Sequence, residues 1–317
     1  MPKKIIIDTD PGVDDSMAIL FAFNSPELEV VGLTSIFGNV HTDLATQNAL
    51  RLVELAGHPE VPVAHGADLP LVVPLSYVAD FVHGTDGLGN TYQPPPHGQA
   101  LDISAAQFIV ETVMAQPGEI TLVPVGPLTN IALALALEPR IAENVADVVI
   151  MAGAATVNGN VTPAAEANII HDPHAADIVF TANWPVTMVG LDVTTQTLMS
   201  EAYLASLRSS RTGQFIFEIS RFYQKFYEER FAGMQAIQTH DPSVIAYLLN
   251  PGLFTTIQGP LRVISEGIAI GQTLLSRHKD AYDNLTAWSN IPDVNVCVEV
   301  DAEGVRALFK ERITQAN

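Results

Sequence analysis

The chain has 317 residues and a formal net charge of −20 at pH 7, with 48% hydrophobic and 16% charged residues. That balance is typical of a well-packed globular protein and not of a disordered chain. The negative charge would repel nucleic acid and anionic membranes, so we expect neutral or cationic small molecules as partners.

The first residues and the single cysteine bear on where the protein works. Only three consecutive apolar residues precede Asp8, too few for a signal-peptide core or a membrane span. Cys297 is the only cysteine, which excludes an internal disulfide and favours a reducing compartment. It lies in an alternating apolar run and is expected in the core. We therefore predict a cytoplasmic protein with no membrane partner.

The first third of the chain predicts alternating strands and helices. Apolar runs predict strands at 5–7, 30–35 and 61–64. Helices are expected from about Met17 and over 42–56, where Gly57 ends the second one. From 65 to 100 the composition shifts to proline, glycine and polar residues, which predicts a long and functional loop.

The middle of the chain repeats this alternation. Strands are expected at 120–125, 148–151 and 186–191, the last ending at Asp192. Helices are expected at 104–115, 128–137 and 173–181, the first with a capping box of Ser104 and Gln107. A polar connection spans 158–168. Such alternation predicts an open, mostly parallel sheet flanked by helices, a Rossmann-like α/β fold.

The last third of the chain is less regular. It predicts helices at 202–208, 214–229 and 242–249 and from Asp301, with strand-like runs at 261–264, 268–274 and 294–300. No internal repeat, low-complexity tract or linker interrupts the sequence. We therefore expect residues 1–317 to form a single domain with a more irregular C-terminal third.

Four carboxylates lie on one strand-to-helix turn, in the stretch Asp8-Thr9-Asp10-Pro11-Gly12-Val13-Asp14-Asp15. A helix N-terminus stabilises each carboxylate by about 0.3–1 kcal/mol, too little to hold four like charges together. A hard divalent cation would hold them, because calcium and magnesium bind carboxylate oxygens. In parallel sheets ligands bind beyond the carboxyl ends of the strands, where this sequence places Asp10, Asn39, Val125 and Met151.

Two other acidic motifs compete for this turn. An EF-hand loop starting at Asp8 is excluded, because its sixth position is Val13 instead of glycine and its twelfth is Ile19 instead of glutamate. A magnesium-dependent phosphatase of the aspartyl-phosphate type also begins with Asp-x-Asp after a strand. In such a phosphatase Asp14 and Asp15 would have no role. It also needs a later lysine and an acidic pair, for which the weak candidates are Lys279, Asp280 and Asp283.

Hydrolysis of an N-glycosidic bond would use more of these groups. The reaction needs an activated water, groups that hold the sugar while charge develops, and an acid for the departing base. A cation beside Asp10 would lower the pKa of its water, and the carboxylate would take the proton. Glu166, Asn160 and Asn168 are candidates to hold ribose hydroxyls, and His240 is a candidate to protonate the base.

Residues 8–15 match in full the signature Asp-x-Asp-Pro-Gly-x-Asp-Asp of the inosine-uridine preferring nucleoside hydrolases. The chain resembles this family over nearly its whole length. Further matching motifs are Gly38-Asn39, His83-Gly84, the run 122–130, Met151, Asn160, Glu166-Ala167-Asn168 and His240-Asp241-Pro242.

The resemblance implies an open α/β fold and a calcium ion held by Asp10, Asp15, Asp241 and the backbone carbonyl of Val125. It implies Asp10 as the base and contacts to ribose from Asp14, Asn39, Met151, Asn160, Glu166 and Asn168. It places His83 and His240 beside the nucleobase. Because family members usually form dimers or tetramers, a homodimer or homotetramer is expected.

The chain departs from the family pattern around the substrate. Ala167 lies where an aromatic residue is common, and Ala152-Gly153-Ala154 replaces a run richer in glycine. Residues 222–235 are expected to cover the base, with Tyr227, Arg230 and Gln235 as candidates. Asp8 is expected to have a structural role.

The tripeptide His-Asp-Pro occurs at 171–173 and again at 240–242. Each copy alone predicts an aspartate that caps a helix beginning with proline. Only the resemblance makes Asp241 a metal ligand.

These observations predict a calcium-dependent enzyme that hydrolyses ribonucleosides to free base and ribose. Two histidines near the base favour pyrimidine or mixed inosine-uridine preference, since a pyrimidine nitrogen leaves poorly without a proton. The alternatives are the magnesium-dependent phosphatase and a non-catalytic, calcium-dependent nucleoside-binding protein.

Overall fold

The computed structural model describes residues 1–75, 77–231, 233–277 and 287–315. The phosphatase candidates Lys279, Asp280 and Asp283 lie outside these residues. The strands are β1 Lys3–Thr9, β2 Leu28–Ser35, β3 Val63–Ala64, β4 Ile120–Pro124, β5 Asp147–Ile150, β6 Val186–Met188, β7 Leu198–Ser200, β8 Ala236–Gln238, β9 Phe254–Val263, β10 Thr273–Leu275 and β11 Asp293–Val300.

The helices mostly alternate with these strands. They are α1 Val13–Phe23, α2 Thr42–Ala56, α3 Asp80–His83, α4 Ala105–Ala115, α5 Thr129–Leu137, α6 Ile141–Asn144, α7 Ala167–His171, α8 Pro173–Thr181, α9 Leu191–Thr194, α10 Glu201–Ala205, α11 Arg211–Arg230, α12 Pro242–Leu249 and α13 Ala302–Gln315. A 3₁₀ turn covers Pro251–Leu253.

Nine strands of the described residues form one sheet, in the order β10-β9-β11-β6-β5-β4-β1-β2-β3. Seven neighbouring strands run parallel, in the order β11, β6, β5, β4, β1, β2 and β3. At the β11 edge, β9 pairs antiparallel with β11, and β10 pairs antiparallel with β9. The predicted open, mostly parallel α/β fold is therefore confirmed. The chain moves outward from β1 to β3 and then returns to β4 on the other side of β1. Ligands bind at such a switch point in doubly wound sheets.

The strand side chains alternate between two cores, one on each face of the sheet. Ile5 and Ile7 belong to one core, and Ile6 belongs to the other. A strand buried on both faces explains why 5–7 is an unbroken apolar run. The first core includes α13, where Phe309 meets Phe21 of α1 edge-on at 5.1 Å.

Cys297 lies in the first core, as predicted, and is fully buried. Burial raises the pKa of its thiol to about 12. The thiol is therefore protonated at neutral pH and contributes as a small apolar side chain.

Helix α1 begins at Val13, four residues before the predicted start at Met17. Gly12 is its N-cap residue in an extended conformation, and its N–H donates to Asp15 Oδ2 at 3.0 Å. Asp14 and Asp15 therefore belong to the first turn of the helix, where a negative charge is stabilised.

Two further local predictions were wrong. The strand predicted to end at Asp192 stops at Met188, and Asp192 lies in α9. Ser104 caps α4 by accepting from the Gln107 N–H at 3.2 Å, but the Gln107 side chain donates to Glu111 and does not complete a capping box.

The C-terminal third contains an antiparallel hairpin of β9 and β10, where the sequence predicted runs at 261–264 and 268–274. The pair β7–β8 was not predicted, because strands of three residues are too short to show alternation. Across the described ranges, no helix is both long enough and apolar enough to cross a membrane.

Candidate active site

A cavity of about 500 Å³ lies at the switch point of the sheet. Its wall includes Asp10, Val125 and Met151, which directly follow β1, β4 and β5. Its volume is within the range of small-molecule sites, roughly 300–1,000 Å³. The cavity therefore lies at the edge of the sheet where the carboxyl ends of the strands were predicted to place a ligand.

Most predicted site residues line this one cavity. They are Asp10, Asp14, Asn39, His83, Val125, Met151, Asn160, Glu166, Asn168, His240 and Asp241. Asp15 is fully buried next to them. Further lining residues that the sequence did not indicate are Tyr77, Phe81, His171 and Gln238, and Tyr223, Phe226 and Phe231 come from the stretch 222–235 that was expected to cover the base.

Three carboxylates form a compact acidic group in the cavity floor. Asp14, Asp15 and Asp241 each offer an oxygen, and these oxygens lie within 4.8 Å of one another. All three residues are at least 95% buried. Burial, followed by the charge of Asp15, raises the pKa of Asp14 to about 8. Burial and the charges of Asp14, Asp15 and Asp10 raise the pKa of Asp241 well above its usual range.

The donors available at this site fit a hard divalent cation. Oδ1 of Asp10 and Oδ1 of Asp14 are buried and have no hydrogen-bond partner among the described residues. Asp14 Oδ1 lies 3.8 Å from His83 Nδ1, too far for a hydrogen bond. Oxygen atoms are the ligands that calcium and magnesium prefer, and a cation would offset the repulsion between the carboxylates. The cluster could therefore hold a metal ion.

Asn39 orients two of the carboxylates. Its side-chain amide donates to Asp15 Oδ2 at 2.8 Å, and its backbone N–H donates to Asp10 Oδ2 at 2.5 Å. The Thr9 hydroxyl donates to Asp15 Oδ1 at 2.6 Å. Asn39 was predicted to contact ribose, and that role stays a prediction. The observed contacts show that it fixes the acidic group.

Glu166 is the N-cap residue of α7. Its carboxylate accepts the N–H groups of Asn168 at 3.0 Å, Gly153 at 2.9 Å and Ile169 at 3.2 Å. Burial raises its pKa. Three backbone donors therefore fix the position of this buried carboxylate in the cavity wall.

Asn168 joins the ends of two strands. Its amide nitrogen donates to the carbonyls of Val125 at 2.8 Å and Met151 at 2.9 Å. Asn160 accepts from the Ala167 N–H at 3.1 Å and is exposed at the mouth of the cavity. These contacts hold the polar side of the cavity in one arrangement.

Asp8 is absent from the cavity wall and fully buried. Its Oδ1 accepts from the Thr34 hydroxyl at 2.5 Å and from the Asn130 amide at 2.8 Å. The other end of the Asn130 amide accepts from the Ala67 N–H at 2.9 Å. Asp8 thus links β1 to β2 and to the loop after β3, which agrees with a structural role.

The two predicted histidines differ in their partners. His83 Nδ1 accepts the Val13 N–H at 3.1 Å, so its proton lies on Nε2, and burial lowers its pKa to about 3. His240 Nδ1 meets the Thr194 hydroxyl at 2.8 Å and its Nε2 meets the Tyr227 hydroxyl at 3.2 Å. Burial lowers the pKa of His240 to about 4. Both rings are neutral at pH 7.

Two tyrosines of α11 connect His240 to the acidic group. Tyr223 and Tyr227 are four residues apart and lie on the same face of the helix. Their hydroxyls are 3.3 Å apart, and the Tyr223 hydroxyl donates to Asp14 Oδ2 at 3.3 Å. Tyr223 also stacks on His83, with ring centroids 5.2 Å apart. The aromatic side of the cavity is thus hydrogen-bonded to its acidic side.

The expected cover at 222–235 is partly present. Phe226, Tyr227, Arg230 and Phe231 line the cavity, whereas Gln235 does not. In the sequence these residues form an aromatic stripe along a helix. A helix that faces the core has the same pattern, so the stripe alone does not indicate a cavity.

The two His-Asp-Pro copies differ. Asp172 caps α8, since its Oδ1 accepts the Ala175 N–H at 3.0 Å. The cap predicted for the second copy was wrong: Asp241 precedes α12 but makes no side-chain cap, and its carboxylate lies with Asp14 and Asp15. The aspartate of the second tripeptide, Asp241, therefore lies in the cavity wall.

The doubly wound sheet and its acidic cavity define an α/β enzyme with a small-molecule site that could hold a metal ion. The family model described as inosine-uridine preferring nucleoside hydrolase matches residues 5–307. The chain belongs to this family and is a ribonucleoside hydrolase. The phosphatase and the non-catalytic binding protein are thereby set aside.

Known relatives agree with this assignment over the full length. The chain is 46% identical to a probable uridine nucleosidase of Arabidopsis thaliana, covering 99% of this chain and 98% of the relative. It is 41% identical to an inosine-uridine preferring nucleoside hydrolase of Leishmania major, covering 87% and 88% of the two chains. A solved plant nucleoside hydrolase superposes with a TM-score of 0.96 at 45% identity, and the match covers 99% of each chain.

Proposed function

We propose that this enzyme is a calcium-dependent hydrolase of uridine, and of inosine as a second substrate, which releases free base and ribose. The observation that carries the proposal is the division of one cavity into an acidic side and an aromatic side. A nucleoside has the same division, with sugar hydroxyls at one end and a flat base at the other. Relatives that are named uridine nucleosidases support the preference for uridine.

In this proposal the polar side holds ribose. Asp14, Asn39, Met151, Asn160, Glu166 and Asn168 would contact its hydroxyls. Asp10 would act as the base that takes a proton from the attacking water. Its buried Oδ1 supports this role, because that oxygen has no partner in the described chain and can accept a proton.

Asp10, Asp15, Asp241 and the carbonyl of Val125 would hold calcium. Oxygens of Asp15 and Asp241 already lie within 4.8 Å of each other and of an Asp14 oxygen, which supports a cation at this place. When bound, calcium would offset the negative charges and make a nearby water easier to deprotonate. The carboxylates of the acidic group, Asp14, Asp15 and Asp241, would stabilise positive charge on the sugar as the bond to the base breaks.

On the aromatic side, His240 would help the base to leave. The Thr194 hydroxyl at Nδ1 fixes the orientation of the ring, and Tyr227 lies at Nε2. The protonated form of the ring is a minor species at pH 7 and a strong acid because of its low pKa. It would pass its Nε2 proton to the Tyr227 hydroxyl while that hydroxyl passes its own proton to the base, which leaves His240 neutral. His83 is neutral and carries its proton on Nε2, so it would serve as a hydrogen-bond donor beside the base.

Three further proposals rest on the sequence: the cysteine content and the first residues for the compartment, the family resemblance for the oligomeric state, and the lack of a linker for the domain organisation. We place the enzyme in the cytoplasm and expect a homodimer or a homotetramer. We also expect residues 1–317 to act as one catalytic domain, in which β11 of the C-terminal third pairs directly with β6 of the parallel sheet.

The test of the proposed function is a reducing-sugar assay on uridine, inosine, cytidine and adenosine, with calcium and with a chelator. We expect ribose from uridine at the highest rate, from inosine at a lower rate, and from neither after chelation. Hydrolysis that is unchanged by chelation would contradict the calcium dependence. Binding of uridine without any release of ribose would contradict the catalytic role.

Replacing His240 by alanine is expected to lower kcat for uridine about a hundredfold, since acid help to a leaving group contributes about 10²–10⁴-fold. The control substrate is 4-nitrophenyl riboside, whose phenolate leaves without a proton, and its kcat should change little. If the His240→Ala variant cleaves uridine at the parental rate, His240 is not the acid.

A further inference from the structure

The segment after β5 has an unusual set of backbone contacts. Four successive N–H groups, those of residues 153 to 156, donate to side chains instead of to a strand or a helix. The donor–acceptor distances are 2.7–3.0 Å, and the acceptors are Glu166, Thr273 and Asp192. The conformation of this segment is therefore set by residues that are remote in the sequence.

Thr273 makes the central contact. Its hydroxyl accepts the N–H of Ala154 at 3.0 Å and donates to the carbonyl of the same residue at 2.8 Å. The side chain is 2% exposed, so water does not compete for these bonds. One hydroxyl thus satisfies both backbone groups of Ala154 and fixes the peptide planes on either side of it.

The hairpin of β9 and β10, which carries Thr273, also contacts the C-terminal end of the loop 154–165. Gln272 forms a single antiparallel bridge with Ala165. The backbone at Gly271 lies so close that a Cβ there would come within 2.7 Å of the Ala165 methyl. Residues 271–273 therefore hold both ends of the loop 154–165.

Both ends of this loop are connected to Glu166, one by a hydrogen bond and the other by the chain itself. At one end, Gly153 precedes Ala154 and donates its N–H to Glu166 Oε2. At the other end, Ala165 directly precedes Glu166 in the chain. A shift of either end would move a buried carboxylate that lines the cavity.

We propose that Thr273 is a positioning residue of the nucleoside site, which fixes Glu166 through Ala154 and Gly153. This inference rests on the proposed function, in which Glu166 holds a hydroxyl of the sugar. The hairpin of β9 and β10 would thus contribute to substrate binding, although its residues do not line the cavity.

The test compares Thr273→Val with Thr273→Ser. Valine keeps the shape and removes the hydroxyl, whereas serine keeps the hydroxyl. For Thr273→Val we expect KM for uridine to rise about tenfold and kcat to change less than about threefold, because the sugar contact acts on substrate and transition state alike. For Thr273→Ser we expect KM close to the parental value. Serine and valine variants with equal KM values would overturn the proposal.

The matched control is Thr187→Val. Thr187 on β6 is also 2% exposed, but its hydroxyl meets Tyr247 at 3.5 Å, away from the loop. This variant removes a buried hydroxyl that has one long contact, so its thermal stability should fall less than that of Thr273→Val, and its KM should stay parental. A KM change of the same size in both valine variants would reveal a general effect of stability and would overturn the positioning role.

A double-variant cycle asks whether Thr273 acts through Glu166. In the Glu166→Gln background we expect Thr273→Val to raise KM less than twofold. Independent, additive effects would overturn the proposed route. Absence of ribose release in the parental enzyme would refute the proposed function itself, whereas an active parent with unchanged KM in Thr273→Val would refute only this inference.

Discussion

Asp10→Asn is expected to lower kcat for uridine about a thousandfold, as removal of a general base typically costs about 10²–10⁴-fold. Asparagine has the same shape and can still accept the Asn39 N–H that now bonds to Asp10 Oδ2. It cannot take a proton from water. KM should change much less than kcat, and steady-state kinetics with uridine at saturating calcium would measure both.

The same variant should be more stable than the parent when divalent cations are chelated. Asp10 is 99% buried, and the charges of Asp15 and Asp14 help to raise its pKa well above the usual range. A neutral side chain removes this repulsion, so the melting temperature in chelator should rise. The matched control is Asp172→Asn, whose carboxylate accepts hydrogen bonds at both oxygens and should lose stability instead. A kcat for Asp10→Asn within tenfold of the parental value would contradict its role as the base.

The sequence predicted the edge of the sheet on which the site lies, because strand ends are encoded locally. The apolar runs at 120–125 and 148–151 are easy to identify, and residues at their ends must face the same edge in a parallel sheet. Asp10, Val125 and Met151 accordingly lie along the cavity.

The contacts that hold the site residues in place could not be predicted from local sequence patterns. Thr273 and Ala154 are 119 residues apart, and nothing in the short apolar run around Thr273 distinguishes it from an ordinary strand residue. Tyr223 lies in the stretch 222–235 that was expected to cover the base, but it was not named individually, because an aromatic residue on the inner face of a helix fits a core as well as a cavity. Periodicity predicts which face is covered but not what covers it.

Helix starts show the same limit. The start of α1 was predicted late because Asp14 and Asp15 interrupt the apolar pattern, although acidic residues are favoured in a first turn. For Asp241 the local pattern alone predicted a cap, as for its twin Asp172, and only the family resemblance predicted a metal ligand. In both cases the carboxylates at the start of a helix belong to the acidic group, which the local pattern does not show.

The two His-Asp-Pro copies allow a direct comparison of a metal-binding and a structural aspartate. Asp241→Asn is expected to weaken calcium binding on the order of a hundredfold, because it removes a charged ligand from an all-oxygen site. Asp172→Asn should leave calcium affinity unchanged. Isothermal titration of the chelator-treated proteins with calcium would measure both.

Stability should change in opposite directions in these two variants. Asp172 is fully buried, and its Oδ2 accepts the Leu71 N–H and the Thr129 hydroxyl, both at 2.8 Å, while its Oδ1 caps α8. In asparagine one of these positions becomes an NH₂ that faces a donor, at a cost of about 1–3 kcal/mol. Asp241 faces other carboxylates, so its neutral variant should melt at a higher temperature than the parent in chelator. Equal calcium affinity in the two variants would refute Asp241 as a ligand, and a raised melting temperature for Asp172→Asn would refute its structural role.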